Sequence, residues 1–133
     1  MLRICLSTIA SVVVTAVALV GCAGGPPPTF VESDVPLPPS MGVRFSSDIR
    51  REGGELTAGR FLLSGPVRDI VAAADETSQR YSDNGWREDE RTLQSNRVSM
   101  TFSKDTRTVR VEIDRRRVDP DMSTASVRVQ RNG

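Results

Sequence analysis

Residues 97–114 read RVSMTFSKDTRTVRVEID, two runs of alternating apolar and polar side chains on either side of a short polar break. Val98, Met100 and Phe102 alternate with Ser99 and Thr101; Val109, Val111 and Ile113 alternate with Arg110, Glu112 and Asp114. A repeat of two puts each apolar set on one face of a strand. A hairpin turning within SKDT, residues 103–106, predicts Val98 opposite Val111 and Met100 opposite Val109. A further strand over 124–130 would set Ala125, Val127 and Val129 against Ile113, Val111 and Val109, after a loop through RRRVDPDM at 115–122. Weaker alternation predicts earlier strands near 43–50 and 58–63 and another after Trp86.

A sheet with one apolar face needs a cover. The segment 66–84 supplies it: Val67, Ile70, Val71, Ala74, Thr77, Ser78 and Tyr81 recur at the three-and-four spacing of one helical face. Pro66 suits a first helical position after a Gly65 cap, Asp69 lies near the positive end of the dipole, and Asn84-Gly85 forms a left-handed stop. Glu76 and Arg80 stand four apart, as an ion pair on a helix requires. The expected fold class is α+β: one amphipathic helix packed on an antiparallel β-sheet of about four to six strands.

The beginning of the chain carries a different signal. After Met1, Leu2 and Arg3, residues 4–20 are apolar or small apart from Ser7, Thr8, Ser11 and Thr15, the layout of a secretory signal. Leu19-Val20-Gly21-Cys22 at its border resembles the lipobox of bacterial lipoproteins. The resemblance implies that Leu19, Val20 and Gly21 are recognised by a lipoprotein signal peptidase. The enzyme would cut before Cys22, whose sulfur would carry a diacylglyceryl group and whose new amino group would take an acyl chain such as palmitate. A thiolate is the nucleophile such acylation needs, and two or more acyl chains anchor stably where one does not. Ala23 follows the cysteine where an aspartate would signal inner-membrane retention, so in a cell with two membranes the expectation is the periplasmic face of the outer one.

These readings divide the chain into a signal peptide at 1–21, a lipidated Cys22 with a tether over 22–40, and a small domain over 41–133. The tether holds Gly24, Gly25, Pro26, Pro27, Pro28, Pro36, Pro38 and Pro39, a composition that spaces rather than folds. Both cysteines are accounted for, Cys5 by removal and Cys22 by lipid, so the mature domain is expected to rest on its core without disulfides. The order VPLPP, a strand ending in glycine, a helix closing on NGW, then FSK is also similar to a group of small, uncharacterised bacterial lipoproteins, over 35–113. That resemblance implies fold and address; the group has no activity to transfer.

Chemistry is sparse. The chain has no histidine, and no glycine-rich phosphate loop, so the common nucleophile and base pairs and the transition-metal sites lack their parts. A carboxylate enzyme would need two acids across a cleft; Asp69, Asp75, Glu76, Asp83, Glu88, Asp89 and Glu90 read instead as a solvated face. Asp119-Pro120-Asp121 lacks the remaining ligands of a calcium loop and reads as a turn. No catalytic residue, metal or cofactor is therefore expected.

Of 18 basic residues only Lys104 is a lysine, and 17 acidic residues balance them almost fully, which with the export signal argues against a nucleic-acid partner. Arg115, Arg116 and Arg117 are the candidates for anion or partner contact, since guanidinium forks grip phosphate and carboxylate. Trp86, the only tryptophan, is expected to lock the helix end onto the sheet with its indole N–H partnered. The expected function is a lipid-anchored cell-envelope lipoprotein, held in the membrane by Cys22, whose domain binds or supports an assembly, with another envelope protein as a candidate partner. The alternatives are a small-ligand binding or sensing module and, behind it, a carboxylate-based hydrolase.

Overall fold

A computed structural model describes residues 28–30 and 32–133. The signal segment, the lipobox with Cys22 and the first part of the expected tether lie outside the described residues. The elements run β1 (Gly42–Glu52), β2 (Glu55–Gly65), α1 (Ile70–Asp83), β3 (Arg87–Gln94), β4 (Arg97–Lys104), β5 (Arg107–Arg115) and β6 (Ser123–Arg131). The six strands form one antiparallel sheet in the order β1-β2-β6-β5-β4-β3, and α1 packs across β3, β4 and β5. This is the α+β architecture read from the sequence.

The central strands are those with the cleanest alternation. β5 and β6 pair as expected, with Val109 opposite Val129, Val111 opposite Val127 and Ile113 opposite Ala125. The β4–β5 hairpin differs from expectation by two residues: Val98 faces Ile113, Met100 faces Val111 and Phe102 faces Val109. The turn sits one residue later than supposed, with Lys104 opposite Arg107, because Asp105 takes the left-handed position (φ 52°) that a tight hairpin needs. A two-residue slip preserves parity, so the same side chains still reach the core. The β1–β2 hairpin turns on Gly53 and Gly54, both with positive φ (58° and 81°), the conformation in which glycine carries no steric penalty.

The helix begins later than its apolar spacing suggests. Asp69, not Gly65, is the cap: its Oδ1 accepts from the backbone N–H of Val71 and Ala72, both at 3.0 Å. Pro66, Val67 and Arg68 form the connection, with Ser123 Oγ donating to the Val67 carbonyl at 2.7 Å. Gly65 serves another purpose, because a Cβ there would lie 2.0 Å from the Ser40 carbonyl oxygen. At the other end Gly85, at φ 81°, stops the helix as expected, and the Trp86 N–H bonds the Tyr81 carbonyl at 2.9 Å. Ile70, Ala73, Ala74, Thr77 and Tyr81 form its buried face, whereas Val71 stays exposed. Glu76 and Arg80 do pair, at 2.7 Å.

The tether expected over 22–40 is corrected by the structure. From Pro28 onward the chain is a strap on the part of the sheet that α1 leaves open. Phe30 and Val35 are core residues, Pro36, Pro38 and Pro39 are buried, and the Phe30 ring lies 4.1 Å from that of Phe61 on β2. An isolated bridge joins Thr29 to Pro36, and the N–H groups of Phe30 and Leu37 donate to the carbonyls of Val35 and Pro28. Proline fits such a strap because its fixed φ lowers the entropy of ordering and its missing N–H leaves no donor to satisfy. The folded unit thus includes residues well before Met41.

Candidate functional site

The strands' polar side chains form the sheet face opposite to α1 and the strap, and their register brings arginines together. Arg60 on β2 is directly opposite Arg128 on β6, and Arg128 is directly opposite Arg110 on β5. Each stands between inward-facing neighbours, in Gly59-Arg60-Phe61, Val109-Arg110-Val111 and Val127-Arg128-Val129, so parity alone drives it outward. Like charges facing one another across strands destabilise a sheet by about 0.2–1 kcal/mol per pair. This row contains two such pairs, in the middle of the sheet.

The outer face divides into two halves of different electrostatic character. Over β3, β4 and β5 the arginines are neutralised: Arg87 pairs with Asp89 at 2.8 Å, Arg97 with Asp114 at 2.6 Å and Arg110 with Glu112 at 2.9 Å. The Arg97 guanidinium is raised above its ordinary value by the Asp114 carboxylate, and the Asp89 carboxyl is lowered by hydrogen bonds from Ser103 and Arg87. Over β1, β2 and β6 the balance is different. Arg44 donates to the Ser64 hydroxyl, Arg60 has only Asp48 at 3.6 Å, and among the described residues Arg50 and Arg128 have no ion pair. Phe45 (62% exposed) and Leu62 (48% exposed), directly opposite each other, add apolar surface to this basic half. A shallow groove of about 290 Å³ runs between them, lined by Phe45, Arg60, Leu62, Ser126 and Arg128. Arg50, Arg60 and Arg128 also line the next hollow along the face.

The sequence-level candidates lie elsewhere. Arg115 closes β5, its N–H bonded to the Asn96 carbonyl and its Nε donating to the Pro120 carbonyl at 3.1 Å. Arg116 and Arg117 are exposed in the β5–β6 loop, beyond the ends of the two central strands and apart from the arginine row. Asp119-Pro120-Asp121 is a turn, with Asp119 Oδ1 accepting from the Asp121 N–H and Asp121 pairing with Arg68 at 3.0 Å. Cys22, Leu19, Val20 and Gly21 lie outside the described residues. Trp86 packs as expected, 4% exposed, but its indole donates to a strap residue, the carbonyl of Asp34, at 3.0 Å.

That contact belongs to a second cluster, where the strap is fastened. Arg107, 1% exposed, grips Asp34 with both Nη atoms at 2.8 Å, donates to the Leu56 carbonyl and lies 4.9 Å over the Trp86 ring. Lys104 adds a 2.8 Å bond to Asp34. The Arg107 guanidinium holds the Asp34 carboxyl well below the usual carboxylate range, with Lys104 adding to it against the opposing effect of burial. Burial, reinforced by the Asp34 charge, pushes the fully enclosed Tyr81 phenol far above its ordinary value. The cluster fastens the strap: Arg107 and Trp86 are enclosed, and Arg107 and Lys104 both pair with Asp34.

The chain matches no protein-family model, no curated protein and no solved structure. Its surface chemistry is therefore the guide to function. Part of the arginine row was within reach of the sequence, since two VRV words in adjacent strands put both arginines on the outer face once their valines face one core. The Asp34–Arg107 pair spans 73 residues and has no local signal.

Proposed function

We propose that this protein is a lipid-anchored domain of the bacterial cell envelope, held by Cys22, that works by contact with an anionic partner rather than by catalysis. The observation that supports contact is the row Arg60, Arg128 and Arg110, with the unneutralised half of the outer face beside it. Guanidinium groups spaced by a sheet register present fixed donors to phosphate or carboxylate, and the accompanying Phe45 and Leu62 give an adjoining apolar contact. The lipobox-like Leu19-Val20-Gly21-Cys22 supports the anchor, and Ala23 supports the outer membrane where there are two. Absence of histidine, and of any thiol once Cys5 is removed and Cys22 acylated, supports a non-catalytic role.

Two measurements test the parts separately. The intact mass of the chain purified from its own membranes should correspond to a start at Cys22 plus a diacylglyceryl group; a mature chain that starts elsewhere or lacks the acyl mass refutes the anchor. A photo-crosslinking residue in place of Ser126 should give a discrete adduct in cells, lost in the Arg60→Gln, Arg128→Gln double variant. An adduct indifferent to those arginines, or none, refutes the contact surface.

A further inference from the structure

The basic half of the outer face is carried by the β1–β2 hairpin and its neighbour β6, and the strap brings the start of the chain to the same hairpin. Thr29, Glu32, Ser33 and Asp34 lie beside Gly54 and Glu55 at the hairpin's turn, and Arg51 donates to the Glu32 carbonyl at 2.8 Å. From Cys22 to the first described residue, Pro28, there are six residues. Fully extended, that length spans about 20 Å, at roughly 3.3–3.6 Å per residue. If Cys22 carries the anchor, as the function proposed above requires, the hairpin cannot leave the neighbourhood of the membrane.

What this hairpin presents there is chemically specific. Arg50, Arg60 and Arg128 lie near one another, with Asp48 and the Arg110-paired Glu112 as the acids beside them, and Phe45 and Leu62 stand exposed next to them. Arginine next to exposed aromatic and aliphatic side chains is the composition of surfaces that rest at a bilayer interface, apolar groups entering at headgroup depth and cations meeting lipid phosphates. Both faces of β1 are largely exposed: among the described residues no element covers it, although it is an 11-residue strand. Its backbone irregularities, at Arg44 and between Ser47 and Arg50, disfavour a further strand adding to that edge. A soluble acidic protein would meet the cations but gives no reason for Phe45 and Leu62 to be exposed beside them, nor for the chain to enter at this hairpin.

We propose that the β1–β2–β6 part of the outer face docks on the anionic surface of the membrane that holds the chain's own lipid. Arg50, Arg60 and Arg128 bind lipid phosphates, and Phe45 and Leu62 enter between the headgroups. Docking fixes the orientation of the domain, leaving α1 and the β3–β4 hairpin as the parts turned toward the compartment.

The test places the native acylated chain in vesicles, either of phosphatidylcholine alone or with about three in ten lipids replaced by phosphatidylglycerol to set a negative surface potential. A fluorescent amino acid sensitive to polarity replaces Ser126 in one sample and, as a control on the helix, Ser82 in another. Expected is a blue shift and shielding from aqueous quencher at position 126 on the anionic vesicles only, with position 82 unchanged. The Arg60→Gln, Arg128→Gln double variant should lower the docked-to-free ratio about thirtyfold, from about 1 kcal/mol for each cation near the surface, while its circular dichroism stays native. Equal signals on neutral and anionic vesicles, or a signal the double variant does not reduce, overturn the proposal. The intact mass of the same sample reports the anchor independently. An unacylated chain refutes the anchor, and its response when added to the same vesicles still decides whether the face docks.

Discussion

Replacing Asp34 by asparagine probes what fastens the strap. The substitution keeps size and shape and leaves the backbone carbonyl that accepts from Trp86, yet removes the charge facing Arg107 and Lys104. Arg107 is then stranded at 1% exposure with one good acceptor in place of two. Breaking a buried ion pair by removing one partner costs about 3–5 kcal/mol. The Asp34 side chain is 31% exposed and asparagine still accepts one bond, so the expected loss is smaller, about 2–3 kcal/mol. For a domain of this size that is a fall in Tm of roughly 10–20 °C. Urea unfolding followed by the emission of the single tryptophan measures it, since Trp86 touches both Asp34 and Arg107.

The pH dependence gives a second, sharper readout. The Asp34 carboxyl titrates lower in the folded protein than in the unfolded chain, so its contribution to stability is present in full above the unfolded value of about 4 and is lost as pH falls from there through the lower folded value. The gap between the native chain and Asp34→Asn should therefore be widest near neutrality and close in acid. Adding Arg107→Met to Asp34→Asn removes the stranded charge and should restore part of the loss. A single variant within about 0.5 kcal/mol of the native chain at pH 7, or a gap that does not narrow in acid, would refute the argument.

Asp69→Ala removes the helix cap and should cost about 1 kcal/mol in the same denaturant assay, with Asp69→Ser recovering most of it. Gly65→Ala puts a Cβ 2.0 Å from the Ser40 carbonyl oxygen, so the strap must shift; the expected signs are a lower Tm and faster proteolysis before Met41, and an unchanged Tm would contradict the close approach. Arg128→Gln relieves two like-charge contacts and should raise stability by about 0.5–1 kcal/mol, measured at low salt and shrinking as salt is added.

The parts of the fold legible in the sequence are those governed by short-range periodicity. The alternation of Val109, Val111 and Ile113, and of Ala125, Val127 and Val129, fixes which side chains reach the core, because a one-residue slip would put every valine in water. The β4–β5 register escaped by two residues because periodicity fixes parity and not the turn, which Asp105 decides. The strap escaped for a related reason. Its prolines have the composition of a spacer, and what folds the segment from Pro28 onward is distant: the open flank of the sheet that receives Phe30 and Val35, and Arg107, which receives Asp34. For the candidate site, attention to runs favours Arg115, Arg116 and Arg117, adjacent in sequence but spread over a strand end and a loop. The three arginines that stand side by side are separated in sequence and adjacent only through the sheet.

The placement of charge on the outer face argues for selection at the surface rather than a uniform need for solubility. β3, β4 and β5 show that this sheet can carry arginine at little electrostatic cost, since Asp89, Asp114 and Glu112 each stand within 3 Å of a guanidinium. Nothing in the backbone prevents the same device on β6, where Ser126 and Gln130 flank Arg128 on the same face and either could have been an acid. Instead the row holds two like-charge contacts, and Arg128 at its centre has no ion pair among the described residues. The fastened strap gives those cations a direction. With Asp34 locked to Arg107, the strap is held beside the β1–β2 turn, so the anchor proposed at Cys22, six residues before Pro28, would act on a fixed segment. A buried ion pair contributes modestly to net stability but fixes geometry. Here the geometry it fixes is the seat of the strap beside the β1–β2 turn.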